Sequence, residues 1–391
     1  MAEEHKKKQA VKIERRKLLD GLTIIKDTIK PDSKNITDLS NFLIIQDGRL
    51  HCKANQFMIS VPMGLDIDRR LVNVEFQLVY DYLRKLRHKE VIIGITNNNT
   101  LGIKAGDNSR VEFPINTEFR FDEEDYVADP GLWKPLPETF VNALTFTSWA
   151  SDTSNAISSH VVIADGKMYG HSDIGRMTCF DMKQDGQEAF PTMVFVHADC
   201  LNFANKYMGF DPVRGTPSYA VQGSWLHLRT LDGVIMSSRT RCDDNFDVEF
   251  AESMLEPGDS DAFRFPKEFE EILDRANPFS GKDAKVKKVT IYISNELRTA
   301  HGIQTAPADI SFMELRAVRE DGSNIYERCD IRKVARKVRF SINISMLEHM
   351  VKYGETFRVG SRTFTAIGST DNGRDDGMPM YRASCVLMAE D

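Results

Sequence analysis

One succession of residue types recurs along this chain: an amphipathic helix, an apolar strand closed by a turn, a polar strand, then a second helix and more strands. Such recurrence constrains the fold more than any other signal, because it means one unit is built several times. Phe42-Leu43-Ile44-Ile45-Gln46-Asp47-Gly48-Arg49-Leu50 is answered by His160-Val161-Val162-Ile163-Ala164-Asp165-Gly166-Lys167-Met168, the Asp-Gly pairs standing 118 positions apart at 47 and 165. A weaker third copy reads Lys288-Val289-Thr290-Ile291-Tyr292-Ile293-Ser294-Asn295-Glu296-Leu297. At 391 residues the chain exceeds what one hydrophobic core serves, so period and length agree on three domains. Boundaries fall where proline, glycine and acidic residues interrupt the pattern, at Asp129-Pro130-Gly131 and Glu256-Pro257-Gly258-Asp259, giving 1–130, 131–258 and 259–391.

Each third divides into two halves, and each half opens with a helix whose apolar residues recur at spacings of three and four. The six stripes are Leu18, Leu19, Leu22, Ile25; Val79, Leu83, Leu86; Phe140, Val141, Leu144; Leu201, Ala204, Met208; Phe269, Ile272, Leu273, Ala276; and Met346, Leu347, Met350. Pro137-Glu138 and Pro266-Lys267 are placed to open two of these helices, since proline at the first helical position loses no needed donor. Between helices the period falls to two, as in Leu101-Gly102-Ile103-Lys104-Ala105 and Trp225-Leu226-His227-Leu228-Arg229, the mark of strands with one face in a core. The expected class is α+β, with two helices packed on antiparallel sheets in each domain.

The apolar runs are too short to span a membrane, and the charged start Met1 to Lys8 does not read as a signal peptide; a cytoplasmic protein with a frayed charged tail is expected. Six cysteines without a C-x-x-C pair argue against a disulfide framework or zinc site. A net charge of −7 argues by itself against a nucleic-acid partner, although net charge averages over all faces.

With these residues in view, the chain resembles the bacterial beta sliding clamp family, the processivity factors of replicative DNA polymerases. The similar stretches run from Leu18-Leu19-Asp20-Gly21-Leu22 through Leu39-Ser40-Asn41-Phe42-Leu43 and Asp47-Gly48-Arg49-Leu50 to Val111-Glu112-Phe113-Pro114. They continue through Gly166-Lys167-Met168-Tyr169-Gly170-His171-Ser172-Asp173-Ile174-Gly175-Arg176-Met177, then Phe263-Arg264-Phe265-Pro266-Lys267-Glu268-Phe269 with Arg275-Ala276, and Val386-Leu387-Met388. The chain departs from the pattern in having Ile174-Gly175 where the family's turn carries histidine, and Met388-Ala389-Glu390-Asp391 in place of a Met-Pro-Met tail, which suggests a divergent or virus-encoded member.

The resemblance implies three repeated DNA-clamp domains and a head-to-tail homodimer whose six domains close a ring around duplex DNA, with helices lining the hole. It implies a DNA polymerase and a clamp loader as further partners, no membrane, no cofactor and no catalytic residue. Lining candidates are Arg15, Arg16, Lys26, Arg84, Lys85, Arg87, Lys89, Lys206, Arg214 and Arg275, of the kind that hold phosphates without reading sequence. The same cations also fit an ordinary solvated helix face. Acidic residues on the outer sheets then account for the negative total. For the dimer boundary the resemblance points to Val111 and Phe113 meeting Pro278 and Phe279, and for a partner-peptide pocket to Ser172, Ile174, Arg176, Met177, Val386, Leu387 and Met388. Plain core is the alternative for Phe113 and for the methionines.

Catalysis and nucleotide binding find little support in the residues. Gly170-His171-Ser172-Asp173-Ile174-Gly175 misses the G-x-S-x-G nucleophile elbow by one residue, and the stretch after it reads as strand rather than helix. His160, His171 and Asp173 lack metal-ligand spacing, and Ser280-Gly281-Lys282 lacks the first glycine of a phosphate loop. The remaining alternative is a non-catalytic ring or tube-forming structural protein, for instance a viral assembly component.

Overall fold

A computed structural model describes residues 10–29, 39–54, 56–65, 67, 72–116, 128–151, 158–172, 175–182, 190, 193–240, 246–256, 261–280, 287–299, 302–307, 309–335, 337–360, 363–368 and 381–386. The chain forms two compact units, one from Met1–Val141 with Val194–Asp244 and one from Asn142–Met193 with Asn245–Asp391. Among the described residues the helices are α1 (Arg15–Ile29), α2 (Phe76–Lys85), α3 (Phe140–Thr147), α4 (Cys200–Tyr207), α5 (Val248–Leu255), α6 (Phe269–Ala276) and α7 (Ile344–Tyr353).

Six of the seven stand where the apolar stripes put them, and α5 does not. On α1 Leu18, Leu22 and Ile25 are buried, on α6 Phe269, Ile272, Leu273 and Ala276, and on α7 Met346, Leu347 and Met350. The two prolines sit one turn earlier than expected. Phe140 N donates to Pro137 O (2.9 Å) and Phe269 N to Pro266 O (3.0 Å), so each proline heads a tight turn that delivers the chain to its helix. The helix α5 is capped by Asp247, whose carboxylate accepts from Phe250 N at 2.8 Å, and it buries Ala251 and Leu255.

In the first unit an antiparallel four-stranded sheet runs in the order Val11–Glu14, Glu90–Ile95, Thr100–Ala105, Ser109–Pro114. A larger antiparallel sheet runs Val72–Glu75, Phe42–Gln46, Gly48–Lys53, Phe57–Leu65, Ile235–Arg239, Trp225–Arg229, Ser218–Gln222, Lys134–Pro135. Its centre is a seam: Ile235 lies opposite Ser60 and Met236 opposite Ile59, so strands from different thirds of the sequence share one sheet. The helix α1 lies so close to this sheet that a Cβ on Gly21 would meet Met63 Sδ at 2.7 Å.

In the second unit six strands run His160–Ala164, Lys167–His171, Arg176–Asp181, Tyr381–Val386, Thr363–Gly368, Thr356–Val359. The seam recurs here, with Arg176 opposite Cys385 and Met177 opposite Ser384. A four-stranded sheet runs Asn324–Arg332, Ile310–Val318, Lys288–Ser294, Val338–Asn343, and Glu296–Thr299 pairs with Gly302–Thr305 as a separate hairpin.

The repeat read from the sequence has a backbone counterpart. Asp47 and Gly48 have φ of 46° and 75°, and Asp165 and Gly166 have 50° and 76°. Both pairs therefore make the mirror-image two-residue turn whose twist matches a hairpin, and glycine takes the more strained position at no steric cost. The third copy supplies its strand, Lys288–Ser294, without an Asp-Gly turn.

Candidate functional site

The basic residues of the first third gather where α1 begins and α2 ends. Strand Val11–Glu14 runs directly into α1, and Arg15 N donates to Lys89 O at 2.8 Å, which sets the start of α1 beside the segment leaving α2. Arg15 Nη1 donates to Leu83 O at 3.0 Å. Arg15 thus covers a carbonyl that α2 leaves open at its end. Around it Arg16, Lys17, Arg84, Lys85, Arg87, His88 and Lys89 are exposed. Arg84 and Lys85 suit the negative end of α2's dipole. Arg15, Arg16 and Lys17 do not suit α1: its first turn holds no acidic residue, although Glu14 directly precedes it. Cations at a helix start cost about 0.3–1 kcal/mol each when exposed, a cost that a bound anion offsets.

The other candidates are occupied. Lys26 sits over the Tyr80 ring, 4.5 Å from its centroid. Lys206 is paired with Asp27, a hydrogen bond that holds its ammonium pKa above the ordinary value and ties α4 to α1. Arg214 pairs with Asp232 (2.5 Å) and Arg275 with Glu327 (2.8 Å). Arg84 shares Asp81 at 3.5 Å. Among the described residues, Arg16, Lys85, Arg87 and Lys89 make no salt bridge, and all four lie in the α1–α2 cluster.

The segments expected to form the partner pocket meet in the second unit. Lys167–His171 turns back into Arg176–Asp181 through Ser172 N to Arg176 O (3.1 Å) and Gly175 N to Ser172 O (3.1 Å), with Gly175 at φ 77°. The returning strand carries Arg176 and Met177 alongside Cys385 and Ser384, with Val386 next to them at the end of its strand. Met177 is 6% exposed and belongs to the sheet's core face. Ile174, Leu387 and Met388 lie outside the described residues. Sequence reasoning missed the aromatic group beside Arg176. Its guanidinium lies over Trp149 (5.4 Å), and Trp149 stacks on His349 at 4.0 Å with the rings 2° from parallel. Phe146 and Tyr353 close round His349 at 5.5 and 4.7 Å. Burial, helped by the Lys352 and Arg176 charges, pushes His349 down to about 3, so it stays neutral across the physiological range.

A second feature beyond the sequence reading holds α5 on this sheet. Glu252 accepts from Lys167 Nζ (2.7 Å), Tyr169 OH (2.7 Å) and Arg382 Nη2 (2.6 Å). Partial burial works against the carboxylate, but these three donors win and hold it down at about 2. Lys167 and Tyr169 lie on one strand and Arg382 on another far along the sequence, so one carboxylate pins α5 across both.

The near-elbow around Ser172 is a strand–turn–strand hairpin, without the strand-to-helix turn that exposes a nucleophilic serine. His160 is buried with Nδ1 at 3.0 Å from Ser159 Oγ, and His171 packs on Phe246 at 5.5 Å. Asp173 lies outside the described residues. Among the described residues no group of three or more His, Cys, Asp or Glu is placed to hold a metal, and no helix is long and apolar enough to cross a membrane.

No family model and no curated protein matches the chain. Solved structures do. The DNA polymerase III subunit beta of Pseudomonas aeruginosa matches with a TM-score of 0.74 at 14% identity, over 98% of this chain and 100% of that one. The DNA polymerase III beta chain of Streptococcus pneumoniae matches at 0.73 and 14%, over 97% and 100%. A sliding clamp from Bacillus subtilis matches at 0.72 and 14%, over 98% and 100%. The fold is that of a DNA sliding clamp.

In this clamp fold both four-stranded sheets end in a strand that lacks a neighbour among the described residues. Ser109–Pro114 is one, carrying Val111 half-buried and Phe113 buried against Tyr82. Asn324–Arg332 is the other, with exposed and half-buried residues alternating from Asn324 to Asp330. Pro278 and Phe279 lie in the single turn of 3-10 helix that succeeds α6, and Arg275 of α6 reaches Glu327 on that open strand. The sequence reading passed over Asn324–Arg332, whose less exposed set Ile325, Glu327, Cys329 and Ile331 is interrupted by a charge at Glu327 and so gives a weak apolar signal.

Proposed function

We propose that this protein is a non-catalytic processivity clamp that encircles duplex DNA and tethers a DNA polymerase, acting in the cytoplasm as a head-to-tail homodimer opened by a clamp loader. What carries the reading is the near-complete structural likeness to sliding clamps together with a run of unpaired cations on α1 and α2. In this reading the chain has three domains at 1–130, 131–258 and 259–391, and two copies supply six. Arg16, Lys85, Arg87 and Lys89 meet phosphates in the hole, while Arg15, Lys26, Arg84, Lys206, Arg214 and Arg275 are held in place by their protein partners. Exposed edge strands seek partners, so Ser109–Pro114 of one copy pairs with Asn324–Arg332 of the other, with Val111, Phe113, Pro278 and Phe279 at the boundary. Polymerase and loader peptides dock where Ser172, Ile174, Arg176 and Met177 lie beside Val386, Leu387 and Met388. The solved structures named above are all bacterial and lend no support to a viral origin.

The mechanism is topological: a closed ring slides without gripping any base and leaves only at a DNA end. Supplied with a loader, the protein is expected to stay on a nicked circle and to be lost once that circle is cut linear. Equal retention on both forms refutes sliding, and no binding to either favours a structural ring or tube.

A further inference from the structure

The open face of the sheet formed by Asn324–Arg332, Ile310–Val318, Lys288–Ser294 and Val338–Asn343 is not the acidic surface expected of an outer wall. Its other face is core, with Val289, Ile291, Ile293, Met313, Leu315 and Phe340 buried. The register sets Arg328, Glu314, Tyr292 and Arg339 in one row across the open face, and Tyr326, Arg316 and Thr290 in the next. Three arginines therefore face one glutamate on a chain whose net charge is −7. Between the rows lies a cleft of about 650 Å³ lined by Tyr292, Tyr326, Arg316, Arg339 and Glu314. Its volume is within the range of about 300–1,000 Å³ typical of ligand clefts.

Three details decide what the cleft takes. Tyr326 is 53% exposed and Tyr292 partly so, leaving ring surface open to stacking. Glu314 lies between Arg328 and Tyr292 in its row with Oε1 buried, so the cleft carries one carboxylate among three guanidinium groups. Arg316 is exposed and makes no salt bridge among the described residues. An acidic peptide suits the arginines but sets its own carboxylates against Glu314. A nucleic-acid strand suits the tyrosines and the arginines together: every base has a flat face to stack and a pairing edge beside it, and each phosphate suits arginine. Duplex DNA hides those faces and edges, whereas a single strand offers them.

We propose that this sheet face binds a short stretch of single-stranded DNA, with Tyr292 and Tyr326 stacking on bases and Arg316 and Arg339 meeting phosphates. The site needs no ring and is independent of the encirclement reading.

Fluorescence anisotropy of the full-length protein with a labelled single strand of about 15 nucleotides at low salt tests it, a length on the scale of one strand-binding site. Tyr326→Ala is expected to weaken binding by about fivefold or more, the scale of one base–aromatic stack. Arg316→Ala is expected to flatten the dependence of log affinity on log salt by about 0.7, the value for one phosphate contact on a single strand. Both side chains are exposed, and unchanged melting curves confirm that the variants fold. Lys134→Glu, an exposed position outside both this sheet and the α1–α2 cluster, is expected to leave single-strand binding unaltered. The proposal is overturned if Tyr326→Ala and Arg316→Ala bind like the parent, if Lys134→Glu weakens binding as much as they do, or if a glutamate-rich peptide displaces the strand at equal concentration.

Discussion

Glu252 shows how much one side chain can hold. It lies on a helix that the apolar periodicities did not announce, and its three donors come from two strands, Lys167 and Tyr169 on one and Arg382 on a distant other. No local pattern can reveal such a convergence, since each residue looks ordinary until the sheet assembles. Replacing it with glutamine removes the charge while keeping the shape, and should lower stability by about 2–3 kcal/mol at neutral pH, the scale of hydrogen bonds to a charged group. The folded carboxyl lies at about 2 against an ordinary 4.5. Its contribution is therefore complete above about pH 4.5 and vanishes as pH falls through 2. Urea midpoints of parent and Glu252→Gln measured from about pH 7 to about pH 2 should converge along that window, and a constant gap would mean that the charge is not what matters.

At the scale of elements, the sequence announced helices by what they bury and strands by alternation, and it failed where an element buries little. Six helices were legible because their stripes carry leucine, isoleucine, phenylalanine and methionine; α5 was not, because its buried side consists of Ala251 and Leu255. Within the basic cluster the sequence could count cations but could not separate a phosphate contact from a helix cap. Arg15 and Lys85 look alike in the chain, yet one covers Leu83 O and the other is exposed. Substitution should part them. Arg15→Ala should reduce stability by about 1.5–3 kcal/mol through loss of a charged donor. Lys85→Ala, Arg87→Ala and Lys89→Ala should leave the melting temperature alone, and each should flatten the salt dependence of duplex binding by about 0.9 if its cation meets one phosphate. Of the segments expected to form a pocket, the strand of Arg176 and Met177 does pair with Tyr381–Val386, while the Trp149–His349 stack beside them joins side chains with no sequence relation.

At the scale of the whole molecule, the α+β class expected from the repeat is the class of the fold, and strands from different thirds of the sequence share its sheets. In each unit a strand of the middle third completes a sheet begun by one of its neighbours. Among the described residues each four-stranded sheet has two end strands, and head-to-tail pairing of Ser109–Pro114 with Asn324–Arg332 would satisfy one on each. Sedimentation equilibrium should therefore report twice the chain mass of 44.4 kDa at micromolar concentration. A single-chain mass there would rule out the closed homodimer as the resting state.

The seam between Arg176–Asp181 and Tyr381–Val386 also bears on how the protein is made. A ribosome adding about 5–20 residues per second needs roughly 10–40 s to travel the 200 or so residues between those strands. Throughout that interval the nascent middle portion presents a bare strand to every other polypeptide nearby, and chaperone protection during synthesis becomes part of what lets this sequence reach its fold.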